Sequence, residues 1–274
     1  MKSSKRWFVW DGLGITCAMF TYFLIGYAEF VVVGVMLLPE LSTTAWGLFH
    51  SILFTILAIL AVVAHMRAMI TDPGSIPLGN CTKENIKKLD MKEGEVVFRC
   101  TRCECIKTDR AHHCSTCKRC IRKMDHHCPW INNCVGESNQ KFFVLFTFYI
   151  MVISIYALYL AVRQFFMCQR SDWEDCMYLK VPAAMVCIIF LIFEGILFGL
   201  FTLAMFCTQV CSICKDETGI ENLKKEKVDK EEEDKSLYEN LRDVFGGHFS
   251  IKWFSPFSHP EMNRRKSPFA YYEV

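Results

Sequence analysis

Residues 100–134 spell CTRCECIKTDRAHHCSTCKRCIRKMDHHCPWINNC. These 35 residues hold eight of the chain's 16 cysteines and four of its eight histidines. Cys100-x2-Cys103, Cys114-x2-Cys117 and Cys117-x2-Cys120 share the two-residue gap that lets a tight turn aim two sulfurs at one ion. One such pair would be weak. Three within 21 residues, with His112 and His113 between them, point to two zinc ions. Two tetrahedral ions need eight ligands. Cys100, Cys103, Cys114, Cys117, Cys120 and Cys134 supply six, and histidine must supply the rest. Spacing alone leaves the partition open, and leaves open whether Cys105 or Cys128 takes part. With so few apolar residues here, the metals would provide the folding energy.

Near the end of the stretch come Asp125, His126, His127 and Cys128 in succession. In extended chain, neighbouring side chains point to opposite faces. One histidine can therefore bind metal while the other faces away. Asp125, one histidine and Cys128 then form a possible nucleophile set. An imidazole takes the thiol's proton, and a carboxylate holds the imidazole's orientation. The competing assignment makes Asp125 a loop carboxylate and Cys128 another metal ligand.

Outward from this stretch the chain turns apolar. The 274 residues are 52% hydrophobic with 23 Phe, and the mean hydropathy is +0.21, values foreign to an ordinary soluble globule. Four runs suffice for the roughly 20 helical residues that cross a bilayer: 13–38, 45–70, 142–166 and 181–211. The first is longer than a signal-peptide core and lacks a small-residue cleavage site, so it is expected to stay as an anchor. The expected fold is an all-α polytopic membrane protein. Its segments are an N-terminus 1–12, a cysteine-rich domain 71–141 between the second and third helices, a loop 167–180 and a C-terminal region 212–274.

The net charge of +2 says little, but its distribution orients the spans. Lys2, Lys5 and Arg6 precede the first span, the 71–141 loop carries 13 Lys or Arg, and the tail from 212 carries 11. The opposite loops hold only Arg170 and Lys180, beside Asp172, Glu174 and Asp175. By the positive-inside rule, both termini and the cysteine-rich loop face the cytosol. A reducing cytosol favours metal over disulfide for the cysteine cluster. The tether between spans argues against nucleic-acid binding. Cys168 and Cys176 fall on the lumenal side, where a disulfide can form. Glu29 and Glu194 lie within spans and should face the bundle interior as polar glue. Lys224–Lys235 is a mixed-charge run expected to be a solvated linker. Leu237, Leu241, Val244 and Phe245 mark an amphipathic helix. The Val274 terminus resembles a ligand for PDZ domains.

The pattern Cys-x2-Cys-x9-His-Cys-x2-Cys-x2-Cys-x4-Asp-His-His-Cys-x5-Cys resembles the signature of the DHHC protein S-acyltransferases, and the likeness covers the whole chain. Asp72-Pro73-Gly74 matches that family's DPG motif. Thr218-Gly219-Ile220-Glu221 sits where it has Thr-Thr-x-Glu, with glycine for the second threonine. Residues 240–246, NLRDVFG, resemble its C-terminal segment, whose Asn240 would brace the ends of the last two spans. RAHHCSTCKRCIRKMDHHCPWINNCVG and DETGIE look most like the Golgi subgroup.

The resemblance implies a four-span enzyme that moves palmitate from palmitoyl-CoA to cysteines of membrane-associated proteins by a ping-pong route. It implies one zinc site of Cys100, Cys103, His113 and Cys120, and a second of Cys114, Cys117, His127 and Cys134. Cys128 is then the nucleophile, His126 the base and Asp125 its orienting carboxylate, while Cys105 is left as a spare loop thiol. On the third span Phe143, Phe146, Ile150 and Ile153 form one helical stripe. By the resemblance it lines the acyl cavity, with a residue near Ile153 limiting chain length and Trp130 covering the thioester end. Lys107 and Arg110 lead the cations that would meet the CoA phosphates.

Overall fold

The computed structural model describes residues 7–41, 43–87, 97–108, 110–174, 176–224 and 235–260. The basic residues Lys2, Lys5 and Arg6, most of the mixed-charge run and the Val274 terminus lie outside them.

Four helices are long and apolar enough to cross a membrane: Gly12–Leu41, Ala45–Ile70, Gln140–Arg170 and Val181–Lys215. This is the architecture of a multi-pass membrane protein. In chain order the elements are α1 (Gly12–Glu29), a π-helical segment Phe30–Leu37, α2 (Leu38–Leu41), α3 (Ala45–Ile70) and the short α4 (Lys83–Lys87). Three hairpins follow: β1 (Arg99–Cys100) with β2 (Cys105–Ile106), β3 (His112–Cys114) with β4 (Arg119–Ile121), and β5 (His126–Cys128) with β6 (Asn133–Val135). Then come α5 (Gln140–Arg170), α6 (Val181–Lys215), α7 (Gly219–Lys224) and α8 (Leu237–Phe245). The fold is mostly helical, and its strands are confined to the cysteine-rich module.

The helices outrun the apolar runs that announce them. α5 starts at Gln140 and Lys141, polar residues that a hydropathy reading assigns to the loop. Lys141 is nonetheless 1% exposed. Its ammonium donates to the Lys252 carbonyl at 2.9 Å, the Ser258 carbonyl at 3.2 Å and Ser258 Oγ at 2.8 Å. A buried cation is tolerated because its donors find oxygens.

The described residues pack into two compact units. One draws on residues 18–65 and 144–209, stretches of the four spans. Thr55 Oγ1 donates to Glu29 Oε1, tying α1 to α3. The Tyr27 hydroxyl donates to the Cys187 carbonyl at 2.8 Å, tying α1 to α6. Arg163 forks onto both oxygens of Glu40 at 3.0 and 3.2 Å, with its guanidinium over the Trp46 ring. The widened Phe30–Leu37 turn buries Val31, Val32, Val35, Met36 and Leu37, and the Val35 carbonyl accepts the Tyr178 amide at 3.0 Å. Nothing in the apolar pattern distinguishes this segment from ordinary α-helix. Cys168 and Cys176 are joined in a disulfide.

The other unit draws on residues 1–17, 66–143 and 210–274 and contains the cysteine-rich module. Asp72 closes a turn over the end of α3. Its Oδ1 accepts the Gly74 and Ser75 amides at 2.9 and 2.6 Å, and Oδ2 accepts the Ser75 hydroxyl. Gly74 sits at φ 106°, a conformation glycine adopts without steric penalty. Its carbonyl accepts the Arg122 amide at 2.9 Å. Pro73 offers its carbonyl to Ser138 N–H. Gly136 lies opposite, where a Cβ would fall 2.6 Å from the Pro73 oxygen.

Two asparagines finish the α3 terminus. A helix end leaves carbonyls without intrahelical partners. Asn133 Nδ2 reaches those of Ala68, Met69 and Thr71 at 3.0, 3.1 and 2.9 Å. Asn133 Oδ1 accepts the Cys134 amide and the Trp7 indole N–H. Asn139 Nδ2 donates to the Ala68 and Cys134 carbonyls, and its Oδ1 accepts the Gly136 amide. Both side chains are fully buried.

At the C-terminal side, α8 begins with a capping box between Ser236 and Glu239. Asn240 Nδ2 donates to the Cys214 carbonyl at 3.1 Å, bracing the end of α6. Trp253 stacks on Phe245 and Tyr238.

Removing the Asn133 amide strands buried carbonyls and the Cys134 N–H together. Asn133→Ala is expected to destabilise the protein by about 2–3 kcal/mol, seen as a lowered thermal midpoint of the detergent-solubilised chain. Asn133→Asp should not restore it, because a carboxylate has no N–H for the α3 carbonyls.

Candidate active site and metal clusters

The hairpins sort the ligands. In β3 the neighbours His113 and Cys114 point to opposite faces. His113 lies across the ladder from Cys120, in the cluster of Cys100, Cys103, His113 and Cys120. Cys114 joins the other cluster with Cys117, His127 and Cys134. In β5, His127 pairs across the ladder with Cys134, a second ligand of that same cluster. One cross-strand pair and one Cys-x2-Cys turn thus build each group. Each turn ends on a left-handed residue, Glu104 at φ 49° and Lys118 at φ 53°, which bends the chain back around its sulfurs.

The ligand atoms of each cluster lie within 4.8 Å of one another. His113 Nδ1 is 3.7, 3.2 and 3.9 Å from the sulfurs of Cys100, Cys103 and Cys120. His127 Nδ1 is 3.6, 3.4 and 3.5 Å from those of Cys114, Cys117 and Cys134. Tetrahedral geometry with metal–sulfur bonds of ~2.3 Å and metal–nitrogen bonds of ~2.0 Å puts N···S near ~3.5 Å. Both groups therefore fit a metal ion.

The sulfurs of the second cluster also interact strongly with one another. Hydrogen bonds from Cys117 and Cys134 stabilise a Cys114 thiolate, whose pKa falls far below the thiol range. The same thiolate pushes Cys117 up to about 12 and raises Cys134. Three sulfurs this close cannot all ionise on their own; a dication removes the conflict.

Cys105 is outside both clusters. Rather than a spare loop thiol it is fully buried beside Ile76, Ala111 and Cys120, and burial raises its pKa. It packs as a small apolar residue.

Asp125, His126 and Cys128 occupy the side left over. With His127 turned to its sulfurs, His126 and Cys128, two positions apart, share the opposite face of β5. His126 Nδ1 donates to Asp125 Oδ2 at 2.6 Å. Its buried Nε2 makes no hydrogen bond among the described residues, although Cys128 is close enough to influence its titration. Burial works against charge on this imidazole. The hydrogen bond to Asp125 and the proximity of Cys128 outweigh it and lift the pKa to about 9. Phe143 stands edge-on to the His126 ring, centroids 5.4 Å apart. Asp125 Oδ1 accepts the Gly219 amide at 2.6 Å. A Cβ at Gly219 would sit 3.4 Å from Asp125, an ordinary contact. The position therefore contributes its backbone N–H, whichever side chain it bears.

Thr218 and Glu221 join a charged network. The Glu221 carboxylate accepts the Thr218 amide at 2.7 Å. Arg110 donates from Nε and Nη2 to Glu221 at 2.7 and 2.8 Å, and from Nη1 and Nη2 to Asp216. Lys123 adds a contact to Asp216 at 2.6 Å. All three Arg110 nitrogens are occupied by carboxylates or a carbonyl, so the residue is placed as a brace rather than as an open phosphate ligand. Lys107 is half-buried on the same module. Of the apolar set, Phe143, Phe146, Ile150 and Ile153 are buried along α5 and Trp130 is half-buried.

Burial favours the neutral form of Asp216 and Glu221, but Lys123 and Arg110 outweigh it and hold both carboxylates below their ordinary range. A lowered folded pKa means stability that is complete above the unfolded values near ~4 and is lost as pH falls through the folded ones. Arg110→Met should destabilise by about 3 kcal/mol at neutral pH, because Glu221 stays buried without its partner. The gap in thermal midpoint between wild type and this variant should narrow on acidification from about pH 5 to about pH 3. Arg110→Lys should recover only part of it, lacking the fork. At the clusters, Cys103→Ser and Cys117→Ser should each lower metal content per chain by one equivalent, read by elemental analysis.

The family described as DHHC palmitoyltransferase matches residues 98–226. Palmitoyltransferase ZDHHC3-A of Danio rerio is 54% identical over 257 residues, spanning 94% of this chain and 80% of that protein. Palmitoyltransferase ZDHHC3 of Homo sapiens is 52% identical over 265 residues, 97% of this chain and 87% of its own length. Palmitoyltransferase ZDHHC7 of Rattus norvegicus is 52% identical over 256 residues, 93% and 82% respectively. With an Asp125–His126 pair beside Cys128 and two four-ligand clusters behind them, this chain belongs to the DHHC palmitoyltransferase family.

Proposed function

We propose that Cys128 carries the acyl group: the chain takes palmitate from palmitoyl-CoA as a Cys128 thioester and passes it to cysteine thiols of membrane-associated proteins. The observation that carries this reading is the face of β5 that presents His126 and Cys128 away from the metal cluster, with Asp125 behind the imidazole.

The Cys128 thiol gives its proton to His126 Nε2, and the sulfur attacks the thioester carbonyl carbon of the donor. The carbon–sulfur bond to CoA breaks, and the proton on His126 passes to the departing thiolate. In the second half-reaction the substrate cysteine gives its proton to His126 and attacks the acyl carbonyl. Cys128 leaves and takes that proton back. Asp125, itself held by the Gly219 amide, keeps the imidazole's tautomer and balances its charge. The Cys128 acyl-enzyme lies between two chemically similar thioester exchanges and the free enzyme returns after the second, which is covalent ping-pong catalysis.

Two structural zinc ions, held by Cys100, Cys103, His113 and Cys120 and by Cys114, Cys117, His127 and Cys134, would supply the module's folding energy. The acyl chain runs along Phe143, Phe146, Ile150 and Ile153, with Trp130 near the thioester end. Of the two leading candidates for CoA phosphates, Lys107 makes no ion pair among the described residues. The charge bias of the loops puts the catalytic module in the cytosol, and the subgroup likeness favours a Golgi membrane.

The test is incubation of the full chain with a clickable palmitoyl-CoA analogue. Wild type should take a label that hydroxylamine releases, and Cys128→Ser should take none while keeping its metal. Asp125→Asn should slow labelling by about 10²-fold or more, because the imidazole loses its negative partner. A folded, metal-loaded wild type that never labels would make the protein a non-catalytic scaffold.

A further inference from the structure

The fourth membrane helix ends in a row of thiols that neither the metal clusters nor the acyl-transfer site uses. Cys207, Cys211 and Cys214 recur at i, i+4 and i+7 along α6, the spacing of one helical face. Of the free cysteines, Cys207 and Cys211 alone are exposed. The rest are buried or half-buried, as cysteine ordinarily is. The three thiols form no disulfide. Nor do they converge on an ion: among the described residues, only the two four-ligand clusters come close enough together. Cys207 and Cys211 therefore stand as separate, accessible nucleophiles.

Their depth is equally specific. α6 starts at Val181, directly after Lys180. At ~1.5 Å per residue, Cys207 lies ~39 Å along the helix and Cys211 ~45 Å. A bilayer with its headgroup regions is ~40–45 Å thick, so both thiols emerge at its polar boundary. Leu200 and Leu203 precede them on the same face and are exposed.

That boundary is the one at which acyl transfer takes place. Just past α6, the Gly219 amide holds Asp125 of the catalytic set and Asp216 holds Arg110. The end of the helix and the cysteine-rich module thus share one side of the membrane. An acyl acceptor needs a free, unburied thiol at this level, with hydrocarbon nearby to receive the chain. A chain attached at Cys207 or Cys211 runs back along Leu203 and Leu200 into the bilayer. An exposed side chain on a continuous helix points away from its own chain's packed elements, and Cys128 is buried in the module. This favours a neighbouring copy in the same bilayer, rather than the chain's own Cys128, as the donor.

We propose that Cys207 and Cys211 are S-acylation sites, acylated by the Cys128 thioester of a second copy of this chain. The inference rests on Cys128 carrying the acyl group. The acceptor thiol gives its proton to His126 of the donor copy, and its sulfur attacks the acyl carbonyl carbon. The bond from that carbon to Cys128 breaks, and Cys128 takes the proton. One thioester replaces another, so no further reactant is needed.

The test places two variants of the full chain together in liposomes with a clickable palmitoyl-CoA analogue. The acceptor is Cys128→Ser, which cannot form the acyl-enzyme. The donor carries Cys207→Ser and Cys211→Ser and keeps Cys128, so every adduct at 207 or 211 belongs to the acceptor. Mass spectrometry should find hydroxylamine-labile adducts at Cys207 and Cys211 when the donor is present and none when it is absent. Adding Cys207→Ser and Cys211→Ser to the acceptor should abolish the transfer, while the donor's own labelling at Cys128 matches wild type. An acceptor that stays unlabelled beside a donor labelled at Cys128 would overturn the proposal. So would equal labelling without the donor, which is direct reaction with the CoA thioester, or adducts spread evenly over the other free cysteines. A donor whose Cys128 never labels would overturn the proposed function, and this inference with it.

Discussion

Successive side chains of a strand leave on opposite faces, and the cysteine-rich module depends on that rule at two places. His113 and Cys114 are neighbours in β3 and serve different clusters. His127 and Cys128 are neighbours in β5, and only His127 joins one. The interleaving of the two groups along the chain follows from this, because a ligand pair adjacent in a strand cannot meet one ion. So does the division of β5 into a face turned to the second cluster and a face left to His126 and Cys128. The ladder then matches His113 with Cys120 and His127 with Cys134. Each cross-strand pair is thus tied twice, by backbone hydrogen bonds and by a shared ligand site. A stretch with little apolar surface gains rigidity in this way without a large core.

A rigid module is useful only if it is fixed to the helices beside it, and here that is done by saturating polar groups. The end of α3 exposes carbonyls; Asn133 and Asn139, next to the last metal ligand, donate to them. Asp72-Pro73-Gly74 turns the chain directly after α3 and accepts the Arg122 and Ser138 amides. Arg110, just ahead of β3, binds Asp216 and Glu221 just past α6. Lys141 at the start of α5 binds the carbonyls of 252 and 258. At the end of α3, at the start of α5 and just past α6, polar side chains thus find matching donors or acceptors. Such contacts are directional, so they fix position as well as add stability.

Much of this was legible in the sequence, for a physical reason. Metal ligands and membrane spans are both strong local signals: the first requires particular residues at short spacing, the second a long run without charge. The opposite-faces rule even separates the roles of the two histidines of 126–127 from sequence alone. What stayed hidden depends on contacts distant in sequence. The brace role of Arg110 needs Asp216 and Glu221, more than a hundred residues away, so the residue resembled an open phosphate ligand. Cys105 looked spare because burial cannot be read from a Cys-rich loop. Asn133 and Asn139 carry no motif of their own. The signal that could have found them is their position, polar residues between a metal ligand and a helix that must end nearby. The π-helical turn at 30–37 leaves the apolar pattern unbroken and was invisible for that reason.

The grip on Asp125 shows how a departure from a motif can leave its chemistry in place. Glycine at 219, where the family pattern has threonine, brings no hydroxyl to the neighbourhood of the Asp125 carboxylate. Oδ1 is instead held by the backbone N–H of that same residue, and every residue except proline brings one. The carboxylate's other oxygen remains committed to His126, so both oxygens of Asp125 have donors. What places the Gly219 amide there is the turn before it: Thr218 is buried, its own amide is taken by Glu221, and Glu221 is held by Arg110. The chain of contacts runs from Arg110, three residues before the metal ligand His113, through Glu221 and the 218–219 backbone to Asp125 and His126. The orientation of the imidazole is thereby tied to the end of α6 as well as to the metal clusters, and the side chain lost at 219 is the one link the network can do without.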